Sequence, residues 1–129
     1  LWVAISQGAK FVSQGFGGDA RQIIELIKQA VAHKGFSLVN ILQPCVTFNK
    51  INTYQYYLQK TYKLDESYDP TDMSSAIAKS MEVNEEKFPL GVLYKVEKPS
   101  YHEQIPQLTE PLATRPRFTD FTSFGDEFI

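Results

Sequence analysis

Cysteine is almost missing from this sequence: Cys45 stands alone among 129 residues. One thiol excludes an internal disulfide framework and fits a reducing, cytoplasmic setting. Charge of one sign is missing too, with 13 Lys and Arg against 15 Asp and Glu and a formal net charge of −2. That balance gives no electrostatic reason to expect nucleic acid or an anionic membrane surface as partner. No apolar run approaches the ~20 residues of a membrane span, and no stretch reads as a signal peptide. The two histidines, His33 and His102, lie far apart and neither has a carboxylate or cysteine at metal-ligand spacing. The chain has no GK[ST] phosphate loop, no dinucleotide fingerprint and no GxSxG nucleophile elbow. The length allows one compact domain with a real core and is too short for two.

What is present has the grammar of an α/β protein. Leu1-Trp2-Val3-Ala4-Ile5 opens apolar, with no polar lead-in. It reads as the end of a helix or buried segment whose beginning is missing, closed by Gly8. Phe11–Gly15 is a strand candidate, followed by the turn Gly15-Phe16-Gly17-Gly18. Asp19 is an N-cap, with Gln22 placed to complete a capping box. The recurrence of Ile23, Leu26, Ile27, Ala30 and Val31 predicts an amphipathic helix. His33 and Lys34 would favour its dipole and Gly35 would be C′.

Phe36–Leu42 is nearly continuous in apolar residues, the pattern of a parallel strand buried on both faces. It ends at Pro44, so Cys45–Lys50 is predicted as a loop at the carboxyl end of a central strand, where open α/β sheets bind ligands. Asn52-Thr53 caps a helix expected to reach about Leu64, with Tyr54, Tyr57, Leu58 and Tyr62 at helical spacing. Pro70 with Thr71 or Asp72 starts another helix through Ala76, Ile77, Ser80 and Met81. Pro89–Val96 is a third strand. Residues 1–98 therefore form the α/β domain. Residues 99–129 read as an extended arm, with prolines at 99, 106, 111 and 116 and phenylalanines at 118, 121, 124 and 128.

Each candidate motif has a plain reading beside the functional one. GFGGD is a tight turn and N-cap, since a carboxylate at the cap repels an anion. The tyrosines of 54–62 and the phenylalanines of the arm lack the basic groove of a nucleic-acid platform and suit core or subunit packing. A lone cysteine is most often a small buried hydrophobe. Cys45, however, follows Pro44 at a strand's carboxyl end, in a loop with Thr47 and Asn49.

Gly8-Ala9-Lys10-Phe11-Val12, the GFGGD turn, Ala32-His33-Lys34-Gly35-Phe36 and above all Gln43-Pro44-Cys45-Val46-Thr47-Phe48-Asn49 resemble the β subunit of 2-oxoacid:ferredoxin oxidoreductases. Asn52-Thr53-Tyr54, Tyr62-Lys63-Leu64, Asp69-Pro70-Thr71-Asp72, Leu90-Gly91-Val92 and Lys98-Pro99-Ser100-Tyr101 continue the match in order. The resemblance implies a parallel sheet between helix layers, the thiamine-diphosphate-binding fold, with a C-terminal extension lying against neighbouring subunits. It implies oxidative decarboxylation of a 2-oxoacid with coenzyme A, using thiamine diphosphate, Mg²⁺ and a [4Fe–4S] cluster that passes electrons to ferredoxin. It makes Cys45 the last of four cluster ligands and places Thr47 and Asn49 in a loop near the cofactor.

The resemblance also implies what this chain would need from elsewhere. The other three cysteines and the GDGD…N magnesium motif belong to the N-terminal half of the subunit. The expected partners are that half, the α subunit and ferredoxin. The fragment alone is expected to be inactive and to hold no cofactor. The VTFN form points to the 2-oxoglutarate or broad 2-oxoacid branch. Lys10 departs from a common threonine, and Ser13-Gln14 from a common alanine-arginine, which alters local contacts. The alternative is a non-catalytic α/β interaction domain acting in subunit assembly.

Overall fold

A computed structural model describes residues 1–105, 108 and 110–114. Four strands form one sheet in the order β2-β1-β4-β3. They are β1 (Phe11–Phe16), β2 (Ser37–Leu42), β3 (Thr61–Lys63) and β4 (Phe88–Lys95). β1 pairs β2 in parallel, β3 pairs β4 in parallel, and the middle pair, β1 with β4, is antiparallel. The sheet is thus mostly parallel and flanked by helices, the expected α/β class with one reversed interface.

Helix α1 (Trp2–Ser6) and α4 (Met73–Met81) cover one face, and α2 (Ala20–Ala32) covers the other. Alternation along β1 divides its side chains between the two. Val12 joins Ile5, Ala9, Ala76 and Tyr94 in the core on the α1–α4 side. On the opposite side Gly15 lies beneath α2, where an added Cβ would come within 3.1 Å of Ile23 and 3.3 Å of Leu26. Every residue of β1 is buried, which makes it the centre of the sheet.

α2 begins as expected, with the Asp19 carboxylate accepting from the Gln22 amide. The reciprocal half of the capping box does not form, because the Asp19 amide already donates to Phe16 O at 2.9 Å. His33 does not lie in the last turn of the helix, where it was expected as a dipole partner. It is the C-cap, its ring packs on Phe11 at 5.6 Å, and burial, reinforced by Lys95, pushes its pKa below the ordinary value. Gly35 lies one position further from the cap than expected, with φ +113°.

Helix α3 (Tyr54–Lys60) stops four residues before the expected end at Leu64. Its cap, Thr53, accepts from the Tyr56 amide, as the sequence suggested. Thr61 then turns extended, its hydroxyl donates to Tyr57 O, and Thr61–Lys63 pairs with Phe88–Leu90. Tyr62 is therefore a strand residue. Its hydroxyl donates to Glu82, while Lys79 reaches both Tyr62 Oη at 3.1 Å and Glu82 at 2.8 Å, bracing β3 against α4. Asp72 caps α4 through the Ser74 and Ser75 amides.

Gln14 and Lys10 carry contacts that join distant parts of the chain. Gln14 Nε2 donates to Pro89 O at 2.9 Å while its Oε1 accepts from Asn40 Nδ2 at 2.8 Å, tying β4, β1 and β2 together. Lys10 Nζ donates to the carbonyls of Lys98 and Pro99, fastening the chain after β4 to the start of β1. There Ser100 and Glu103 form a capping box on the short helix α5 (Tyr101–Gln104). Phe118, Phe121, Phe124 and Phe128 of the expected arm lie outside the described residues.

Candidate functional site

The parallel pairing of β1 and β2 brings their carboxyl ends side by side, and their loops meet there. Gly17 N donates to Leu42 O at 2.9 Å. A Cβ at Gly17 would stand 3.4 Å from that oxygen and 3.6 Å from Tyr54 Oη, at ordinary van der Waals contact with both. Pro44 is buried and ends β2; from Cys45 to Phe48 every residue is exposed.

The loop is tightly made for an exposed segment. Asn49 N donates to Cys45 O at 3.2 Å, closing a turn. The Asn49 carboxamide oxygen accepts from the amides of Ile51 and Asn52, both at 2.9 Å. Lys50 Nζ donates to Val46 O at 2.8 Å. These bonds hold both ends of the turn. The amides of Phe48, Thr47 and Asn49, in that order of effect, lower the Cys45 pKa below the ordinary thiol value. Hydrogen bonds to the charged form favour the thiolate, the form that attacks electrophiles and ligates metals.

The three residues singled out in the sequence thus lie in one turn, with different parts. Cys45 offers an exposed sulfur. Thr47 contributes an amide, and Asn49 contributes an amide together with the side-chain oxygen that shapes the turn. The expected central position of the preceding strand is corrected: β2 lies at one end of the sheet order. Two features escaped sequence reasoning. One is the ring of amides, which no residue type announces. The other is the exposure of Val46, Phe48 and Ile51, at 70%, 89% and 82%, in the segment that follows the thiol.

Among the described residues no group of three or more His, Cys, Asp and Glu could hold a metal ion by itself. The loop offers a single thiol, and one thiolate cannot by itself hold a four-thiolate iron–sulfur cluster. No helix of the described residues is long and apolar enough to cross a membrane.

Comparison with known proteins falls on this same stretch. A family model for the C-terminal region of the pyruvate ferredoxin oxidoreductase beta subunit matches residues 45–110, beginning at Cys45. The chain is 42% identical over 113 residues to a 2-oxoacid:ferredoxin oxidoreductase subunit beta of Saccharolobus solfataricus, covering 79% of this chain and 37% of that protein. It is 39% identical over 132 residues to the same subunit of a Sulfolobus species, covering 93% and 41%. It thus spans about two fifths of the length of these relatives. Among solved structures, a 2-oxoglutarate:ferredoxin oxidoreductase from Magnetococcus marinus, with 2-oxoglutarate, coenzyme A and succinyl-CoA bound, superposes with a TM-score of 0.80 at 31% identity. That match covers 98% of this chain and 43% of the other. An exposed loop cysteine, a mostly parallel sheet behind it and a family match that starts at that cysteine agree: the chain belongs to the β-subunit family of the 2-oxoacid:ferredoxin oxidoreductases and corresponds to its C-terminal part.

Proposed function

We propose that this chain supplies the last cluster ligand of a β subunit that oxidatively decarboxylates a 2-oxoacid to its acyl-CoA and passes the electrons to ferredoxin. The observation that carries the reading is the turn around Cys45, whose amides hold an exposed thiol toward its anionic form. A structural cysteine has no use for that arrangement; a metal ligand does. Cys45 would ligate a [4Fe–4S] cluster, with three thiolates from the rest of the subunit. When bound, such a cluster carries single electrons, while thiamine diphosphate is the electron sink of the decarboxylation.

No step through the diphosphate and magnesium is assigned to the residues of this chain. Their work is to place the sulfur and favour its negative charge. Asn49 keeps the turn closed, and Thr47 lies with it in the loop near the cofactor. The fragment acts only with the rest of the subunit, the α subunit and ferredoxin, and residues 99–129 serve as an arm against a neighbouring subunit. The substrate class is 2-oxoglutarate or a broad range of 2-oxoacids. The VTFN stretch supports this, as does likeness to an enzyme solved with 2-oxoglutarate.

The test is Cys45→Ser in the complete subunit. Iron content and the visible absorption of the cluster should both fall. Unchanged iron with unchanged electron transfer would return the chain to the reading of a non-catalytic assembly domain.

A further inference from the structure

The lysines of this chain divide by what holds them. Lys28, Lys60, Lys63, Lys79 and Lys87 each pair with a carboxylate. Lys10 and Lys50 donate to backbone carbonyls. Lys34, Lys95 and Lys98 have no acceptor among the described residues, and all three line one cleft. On a chain of net charge −2, that gathering makes a local positive field in a concave place.

The cleft lies between the end of α2 and the segment that follows β4. Its volume is about 710 Å³, within the roughly 300–1,000 Å³ of small-molecule sites. Ala32 and Pro99 add apolar wall among the ammonium groups. His33 lines it too; its ring packs on Phe11 at 5.6 Å, and its Nε2 is buried without a hydrogen-bond partner among the described residues. Buried polar atoms are nearly always paired, and an exception in a cleft wall calls for an explanation. Glu97 and Glu103 are the acids of the cleft. Glu103 accepts from the Ser100 amide at 2.6 Å and is committed to the start of α5. Lys10, bound to the carbonyls of Lys98 and Pro99, brings one more ammonium beside them. The cations therefore outnumber the acids, and the carboxyl end of α2, whose dipole opposes an anion, is followed at once by Lys34.

We infer that this cleft binds a small organic phosphate ester. Lysine ammoniums are point charges that suit a tetrahedral oxyanion, whereas a planar carboxylate is best matched by the arginine fork. Among the described residues no arginine lines the cleft. The apolar wall of Ala32 and Pro99 takes the organic body of the ester, which inorganic phosphate lacks. The cleft stands at the Phe11 end of β1, while the Cys45 loop meets the other end of that strand, where Gly17 N donates to Leu42 O. Binding here makes no use of Cys45, so the inference neither rests on the cluster-ligand reading nor fails with it.

The test titrates the 129-residue chain with phenyl phosphate, benzoate and inorganic phosphate, read by calorimetry and by amide chemical shifts. Phenyl phosphate should bind saturably and roughly tenfold more tightly than either of the others, since it alone supplies both the tetrahedral dianion and an apolar body. Its shifts should concentrate in residues 29–34 and 95–99. The double substitution Lys95→Gln, Lys98→Gln alters side chains that hold no partner among the described residues, so the melting temperature should be nearly unchanged. Affinity for phenyl phosphate should fall roughly tenfold or more, through loss of two charge-assisted hydrogen bonds. Lys28→Gln, on the same helix but outside the cleft, should bind as the parent does. Absence of saturable binding, equal binding by the double variant, an equal loss in Lys28→Gln, or shifts centred elsewhere overturns the inference. Equal affinity for benzoate overturns the phosphate class. Binding that the chain shows and the complete subunit lacks would make the cleft a contact within the subunit, and overturns it as well.

Discussion

β1 and β2 are neighbours of equal length, paired in register from Phe11 with Ser37 to Phe16 with Leu42, and both are mainly apolar. Their fates differ. β1 is buried at each of its six positions, between β2 and β4 and between α2 and the α1–α4 layer. β2, one strand away, is half-buried throughout, with Ile41 exposed. Burial in a sheet is decided by the number of neighbours a strand has as much as by its side chains. β1 and its surroundings form a core that this chain completes by itself. β2 and the loop after it form a face that looks outward.

The largest effect that can break this contrast is cavity formation in the two strands. Phe11→Ala removes a fully buried ring and should cost about 3–5 kcal/mol, enough to lower the melting temperature by many degrees. Ile41→Ala on β2 should cost only about 1–2 kcal/mol, because the side chain is already partly in water. Equal losses, measured by urea denaturation of the two variants, would show that β2 belongs to the core as fully as β1.

A smaller effect sharpens how the two strands are locked together. Gln14→Leu leaves the Pro89 carbonyl and the Asn40 amide without the partner they share, and should cost about 1–3 kcal/mol. Adding Asn40→Leu should recover part of that loss, since the Asn40 amide then no longer asks for a partner. A double variant less stable than the sum of the singles would mean that the amide bridge does not set the register of β2 on β1.

The legible parts of the fold were those written in adjacent residues. Asp19, the periodicity from Ile23 to Val31 and Gly35 marked α2 locally, and Pro44 marked the end of β2 and the loop beyond it. The reading failed where distant neighbours decide. Tyr62 fits a helix face by spacing, but Thr61 and Tyr62 are also good strand formers, and pairing with Phe88–Leu90 settles the competition. A basic residue near a helix end suggests a dipole partner, yet packing against Phe11 removes His33 from that role. The order β2-β1-β4-β3 likewise depends on long-range pairing, which composition does not encode. At the site, Cys45, Thr47 and Asn49 were visible as a group. What was not visible is that the Asn49 side chain folds the turn so that three backbone amides serve the sulfur.

The turn lowers the Cys45 pKa, and the pH dependence of alkylation tests this directly. Cys45 is the chain's one thiol, so incorporation of iodoacetamide reports that residue alone. With the amides of Phe48, Thr47 and Asn49 favouring the anion, the rate should rise to its plateau at lower pH than for an unstructured peptide of residues 43–51. As pH falls, the folded chain should lose reactivity later than the peptide does. Phe48→Pro, which removes the amide of greatest effect, should move the profile back toward the peptide. Superimposable profiles for chain, variant and peptide would show that the turn does nothing for the sulfur.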